Sequence, residues 1–159
     1  MKCFSPSTVK SKKQRVKSEE IISSSPEETF HLGEKIGDSL AGGEVILLYG
    51  GLGVGKTLLT KGIVNALEFD IDEVTSPSFA LVNLYKAKFD VYHIDLWRID
   101  ENSNAADAVG LEEILDTKKA VVIIEWAERL HTNTLGSRSI RIRIEGDGDD
   151  PRRVVVTQQ

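Results

Sequence analysis

Gly50-Gly51-Leu52-Gly53-Val54-Gly55-Lys56-Thr57 satisfies a G-x-x-x-x-G-K-[ST] pattern in full. No other stretch restricts the fold as strongly. Directly before it, Val45-Ile46-Leu47-Leu48-Tyr49 is an apolar run of strand length, as expected of a strand buried on both faces of a parallel sheet. Directly after it, Leu59, Ile63, Ala66 and Leu67 recur at helical spacing. A strand that feeds a glycine loop and then a helix gives the loop a chemical purpose. Glycines permit backbone angles that turn consecutive N–H groups toward one anion. The helix start adds its positive dipole end. Lys56 brings a cation to the β and γ phosphates of a nucleotide, and Thr57 brings a hydroxyl to Mg2+. The expected nucleotide-binding stretch is Gly51, Leu52, Gly53, Val54, Gly55, Lys56, Thr57 and Leu58.

A phosphate loop also needs an acid for the metal and the attacking water. Ala120 to Ile124 is a second wholly apolar strand, and it leads directly to Glu125. A carboxylate at the mouth of a buried strand is costly unless it is paired or faces a cation. Two such strand ends belong on the edge of the sheet where α/β proteins bind ligands. Asp95 is the second candidate: in an extended segment, Val91, His93 and Asp95 share one face. The sequence leaves His93 open between a role in the site and a hydrogen-bonded structural histidine.

The rest of the chain supplies the frame. Ser25 caps a helix, Pro26 suits its first position, and Glu28 completes a capping box. Phe30, Leu32, Ile36 and Leu40 form its apolar stripe, and Gly42-Gly43 are expected to end it. Ser78 to Tyr85 and Phe89 to Arg98 read as extended, and Ala105 to Asp116 as a short helix. Ser139 to Glu145 and Arg153 to Val156, joined by a turn over residues 146–151, read as an antiparallel hairpin. The expected fold is a three-layer α/β sandwich of the P-loop NTPase kind. Its central sheet is mostly parallel, with antiparallel hairpin additions.

Length and charge set the remaining bounds. The 159 residues suit one domain, placed at 25–159, with residues 1–24 as a tail. Residues 1–18 hold six basic side chains and no acid, which leaves 14 bases against 25 acids in the remainder. Such an acidic body is a poor non-specific nucleic-acid binder, so any link to RNA is expected to run through another protein. The tail reads as a disordered basic segment; its composition overlaps with that of organelle transit peptides, but it lacks their amphipathic face. No apolar run reaches transmembrane length. Cys3 is the one cysteine, which excludes an intrachain disulfide and fits a reducing cytoplasm.

Several short blocks, in order, resemble the TsaE family, the ATPase subunit of bacterial tRNA threonylcarbamoyladenosine biosynthesis. After the phosphate loop come Thr75-Ser76-Pro77-Ser78-Phe79 and Leu81-Val82-Asn83-Leu84-Tyr85. Then follow His93-Ile94-Asp95-Leu96-Trp97-Arg98, Gly110-Leu111-Glu112-Glu113 and Ile124-Glu125-Trp126-Ala127-Glu128-Arg129. These blocks span roughly residues 26–145. The family usually carries an acid where Gly51 stands, Ala at Val54, Thr at Ser78, Tyr at Trp97 and Pro at Ala127. None of these departures removes a phosphate or metal group.

The resemblance implies ATP and Mg2+ as cofactors. It gives Lys56 the phosphate, Thr57 and Glu125 the metal, and Asp95 a part in hydrolysis, so that Glu125, Asp95 and Lys56 form the catalytic set. It makes Thr75 to Phe79 a switch-like segment near the γ phosphate. It implies the TsaB–TsaD pair as partner, with ATP turnover sustaining repeated cycles of tRNA modification and tRNA contacted only indirectly. Trp126 serves either that contact or packing. ATP rather than GTP rests on the resemblance, because no guanine-reading motif is present.

Two other functions share the loop. A small-molecule or nucleotide kinase would bring several arginines over the phosphates. Here Arg98 alone lies between the two apolar strands and Arg129 just beyond, while Arg138, Arg141, Arg143, Arg152 and Arg153 fall in or beside the final hairpin. A nucleotide-dependent binding module with negligible turnover would use ATP only to order a surface.

Overall fold

A computed structural model describes residues 16–131, 135 and 138–159. Seven strands form one sheet in the order β1-β7-β6-β2-β5-β4-β3. They are β1 (Lys17–Ser23), β2 (Val45–Tyr49), β3 (Val82–Lys86), β4 (Asp90–Asp95), β5 (Val121–Glu125), β6 (Ser139–Glu145) and β7 (Arg152–Gln158). Four of them, β6-β2-β5-β4, run parallel through the centre. Antiparallel pairings add β3 at one edge, and β7 and then β1 at the other.

The helices are α1 (Pro26–Asp38), α2 (Lys56–Ala66), α3 (Ala105–Val109) and α4 (Leu111–Leu115). The helix expected over Ala105 to Asp116 is broken in two by Gly110, which takes a left-handed φ of 63° and caps α3. One apolar cluster joins Leu32 and Ile36 of α1 and Leu59 and Ile63 of α2 to Ile46, Leu48, Ile123 and Ile142 of the sheet. A second, on the opposite face, joins Leu47, Ile94, Val122 and Ile124 to Ala105, Leu111 and Ile114 of α3 and α4. The three-layer architecture is therefore observed, with a parallel core and antiparallel strands on both flanks.

Three local readings change. The sheet begins before Ser25, because Lys17–Ser23 pairs along its whole length with β7. Only Ser23 of β1 is buried, and an edge strand held by backbone hydrogen bonds needs no apolar alternation to form, so no pattern announced it. Helix α1 stops at Asp38 with Ser39 as its C-cap, short of Gly42-Gly43. Ser39 satisfies the helix end itself: its N–H and Oγ both donate to the Ile36 carbonyl, at 3.0 and 2.7 Å. At the start of α1, Ser25 Oγ accepts from Glu28 N as expected, but the Glu28 carboxylate reaches one residue further back, to Ser24 N at 2.6 Å. The expectations for residues 1–15, Cys3 among them, lie outside the described residues.

Helix α2 is held in position by α1 through glycine-to-glycine contact. A Cβ on Gly62 would strike the Phe30 carbonyl, and one on Gly33 the Leu59 carbonyl. The backbones of the two helices thus touch directly, which fixes the start of α2 and with it the end of the loop. Among the described residues no helix is long and apolar enough to cross a membrane.

Candidate functional site

The loop between β2 and α2 uses its glycines for shape. Gly50, Gly53 and Gly55 have φ of 142°, 75° and 110°, a region that side-chain-bearing residues rarely adopt. At Gly50 a Cβ would also strike the Ile144 carbonyl. Gly51 differs: its φ is ordinary and a Cβ there meets nothing within 4 Å. A side chain at this position would extend into open space, so glycine is not required there for the loop's shape.

The loop's donors are free. Among the described residues, none accepts a hydrogen bond from the backbone N–H groups of Gly51 to Leu58. Lys56 is buried and its Nζ donates to the carbonyls of Gly50 and Gly51 at 2.7 and 2.6 Å. The Trp126 ring lies over the ammonium, 3.9 Å from centroid to Nζ. Burial pushes the Lys56 pKa down, against the opposing pull of the Glu125, Glu128 and Asp95 carboxylates. A desolvated cation beside eight free N–H donors is suited to an anionic ligand.

The sheet brings the acids to this cation. Leu48 pairs with Glu125 across β2 and β5, and Asp95 pairs with Glu125 across β4 and β5. All three strands run parallel, so both carboxylates lie at the edge where the loop begins. Glu125 is 2 % exposed and carries specific partners. Thr57 Oγ1 donates toward its two oxygens at 3.0 and 3.1 Å, and His93 Nε2 lies 2.8 Å from Oε1. Asp95 accepts from Trp97 N at 2.8 Å and from the hydroxyl of Ser76. Lys56, Thr57, Ser76, Asp95, Glu125 and Trp126 thus line one cleft of about 410 Å3, with Leu52, Phe79's neighbour Ser78, Trp97 and Arg98 at its walls.

The residues left open by the sequence find definite places. His93 is fully buried between Glu125 and Tyr85. Trp126 packs on Trp97, with ring centroids 4.3 Å apart, while covering Lys56, so its packing is part of the cleft itself. It takes a left-handed φ of 58°, a strained conformation for a side-chain-bearing residue. Phe79 of the Thr75–Phe79 segment is 82 % exposed and carries the Arg98 guanidinium over its ring at 3.9 Å.

Other contributions come from residues outside the expected site set. Arg152 of the final hairpin donates from Nε to the Val54 carbonyl at 3.1 Å, bracing the loop from outside. A smaller recess of about 190 Å3 adjoins the loop there, between Ser23 to Pro26, Thr29, Val54, Leu58 and the 148–150 turn. Tyr85 joins the cleft through His93. The signal for Tyr85 was its place among the ordered blocks; Arg152 and the recess had none, because segments far apart in sequence create them.

A glycine loop joining a buried parallel strand to a helix, opposite a carboxylate at the end of the adjacent strand, defines a P-loop protein. The family described as "Threonylcarbamoyl adenosine biosynthesis protein TsaE" matches residues 23–155, and the chain belongs to that family. It is 33 % identical over 126 residues to the tRNA threonylcarbamoyladenosine biosynthesis protein TsaE of Mycobacterium bovis, covering 75 % of this chain and 74 % of that one. The protein of the same name from Aquifex aeolicus is 38 % identical over 112 residues, covering 69 % and 77 %. That of Treponema pallidum is 31 % identical over 135 residues, covering 85 % and 97 %. Among solved structures, YdiB of Bacillus subtilis superposes with a TM-score of 0.68 at 28 % identity, covering 91 % of this chain and 88 % of the other.

Proposed function

We propose that this protein binds Mg-ATP in the cleft at Lys56 and hydrolyses it in the service of threonylcarbamoyl modification of tRNA, working with the TsaB–TsaD pair. The observation that carries the reading is the meeting of Thr57 with Glu125 beside eight consecutive backbone N–H groups that have no partner among the described residues. The names of the relatives supply the pathway.

The residues present fit both cofactors. Lys56 and the loop N–H groups hold the β and γ phosphates. The recess beside Pro26, Thr29 and Leu58 takes the nucleoside end, since it opens on the same loop from the other side. The Thr57 hydroxyl and the Glu125 carboxylate are hard oxygen donors on one side of the cleft, the donor set Mg2+ prefers. When bound, Mg2+ neutralises charge on the phosphate oxygens. Asp95, held by Ser76 and by Trp97 N, orients the attacking water. The Trp126 ring excludes bulk water from Lys56. Turnover is slow in the lone protein and faster with its partners, in the cytoplasm.

The test is phosphate release from Mg-ATP by the purified chain, alone and with the TsaB–TsaD pair, alongside a pull-down of the pair in ATP and in ADP. Partner-stimulated release and nucleotide-dependent capture are expected. Release that the partners leave unchanged, with no capture in either nucleotide, rejects the reading.

A further inference from the structure

The side chains behind Glu125 form a continuous chain that runs from the buried carboxylate toward the surface. His93 Nε2 meets Glu125 Oε1 at 2.8 Å, and His93 Nδ1 meets the Tyr85 hydroxyl at 3.1 Å. The same hydroxyl lies 3.1 Å from the Thr75 carbonyl. Asn83 Nδ2 donates to Tyr85 Oη and to the Thr75 carbonyl, both at 3.3 Å. Thr75 opens the segment that ends at Phe79, and the next residue, Ser76, donates to Asp95. Two consecutive exposed residues, Thr75 and Ser76, are therefore tied to the two acids of the cleft, Ser76 directly and Thr75 through Tyr85 and His93.

Proton counting decides how the links run. An ionised Glu125 offers only acceptors, so His93 must present a proton at Nε2. The other ring nitrogen, Nδ1, has the Tyr85 hydroxyl as its partner. That hydroxyl has one proton for two neighbours, Nδ1 and the Thr75 carbonyl, and the Asn83 amide donates to both Tyr85 Oη and that carbonyl. The buried polar side chains of the chain, Glu125, His93 and Tyr85, then all have partners, as a buried network requires. A mere core histidine needs none of this alignment with Glu125. His93 also pairs in register with Ile123 on β5, two residues before Glu125, so the sheet itself sets the ring's height against the carboxylate.

We propose that His93 and Tyr85 are positioning residues: a buried strut that holds the Glu125 carboxylate toward Thr57 and makes it move together with the Thr75–Phe79 segment. The inference rests on the nucleotide reading above for its consequence in turnover, but the strut itself exists without nucleotide. Movement of the segment then reaches Glu125 through His93 and Asp95 through Ser76, so both acids respond to one surface event.

Tyr85→Phe is the discriminating variant, because it removes one hydroxyl and keeps the ring. Three measurements bear on it. Nitrogen-15 spectra of the nucleotide-free protein are expected to show His93 carrying a proton at Nε2; a ring with no proton at Nε2 overturns the strut. Amide hydrogen exchange, again without nucleotide, is expected to quicken by about tenfold in Tyr85→Phe for residues 75–81 while β1 and β7 keep their rates; uniform acceleration, or none, means a merely structural tyrosine. Mg-ATP turnover is expected to fall by about 10- to 100-fold in Tyr85→Phe and His93→Ala, with nucleotide affinity within about threefold. His93→Gln, whose amide can still donate to Glu125, is expected to recover much of the rate but not the slow exchange of residues 75–81. Full turnover in both Tyr85→Phe and His93→Ala overturns the proposal. Should the wild-type chain fail to bind Mg-ATP, the functional reading falls, while the spectra and the exchange still judge the strut.

Discussion

Thr57 and Glu125 stand 68 positions apart in the chain, yet one hydroxyl donates across both oxygens of one carboxylate, at 3.0 and 3.1 Å. The contact exists because β2 and β5 are parallel neighbours, Leu48 opposite Glu125, and because the loop returns the chain to the same sheet edge within a few residues. Replacement of Glu125 by Gln keeps the side chain's shape, turns one acceptor oxygen into a donor and deletes the charge. It is expected to leave ATP affinity within a few-fold while slowing phosphate release by about 100-fold or more. Release at the wild-type rate would remove Glu125 from the mechanism.

Lys56 should show the opposite division. Its ammonium is buried among loop carbonyls and under Trp126. Lys56→Ala is expected to weaken Mg-ATP binding by about 100-fold, on the order of 3 kcal/mol, as calorimetry would read it. Affinity equal to that of the wild type would mean that the phosphates lie elsewhere.

Trp126 offers an optical report of the same event. The chain has two tryptophans, and Trp97→Phe leaves Trp126 as the single reporter. A triphosphate that draws Lys56 from the ring removes a cation 3.9 Å from the indole centroid. Saturable change in emission on titration with Mg-ATP is expected, and it should vanish when Lys56→Ala is added. Binding seen by calorimetry with silent fluorescence would show that the ring and the ammonium stay together.

Two glycines should behave differently. At Gly62 a Cβ collides with the Phe30 carbonyl of α1, and helix backbones cannot yield locally. Gly62→Ala is expected to cost about 2–3 kcal/mol, a fall of roughly 5–10 °C in Tm. Gly51→Asp places its side chain in open space at an ordinary φ, so Tm should stay within about 2 °C. Equal effects of the two substitutions in thermal melts would contradict the packing described for α1 and α2.

What could be read from the sequence alone was whatever depends on neighbours in the chain. The phosphate loop, its buried strand, its helix and the capping of α1 at Ser25 are local matters of backbone geometry and apolar spacing. Glu125 was legible for the same reason: four buried apolar residues run straight into a charge. The ordered blocks added the family, which the matches then established.

Tertiary structure decided the rest. The strand Lys17–Ser23 forms because β7 offers it a free edge, which no pattern within those seven residues records. Arg152 braces Val54 only because the final hairpin folds back along the sheet. His93 and Tyr85 meet Glu125 only when β3, β4 and β5 come into register, for then a buried carboxylate, an imidazole and a phenol stand in one chain of contacts. Hydrogen bonds need donor and acceptor within about 3 to 3.5 Å. A chain announces which groups can make them, and only the packed sheet determines which groups come that close.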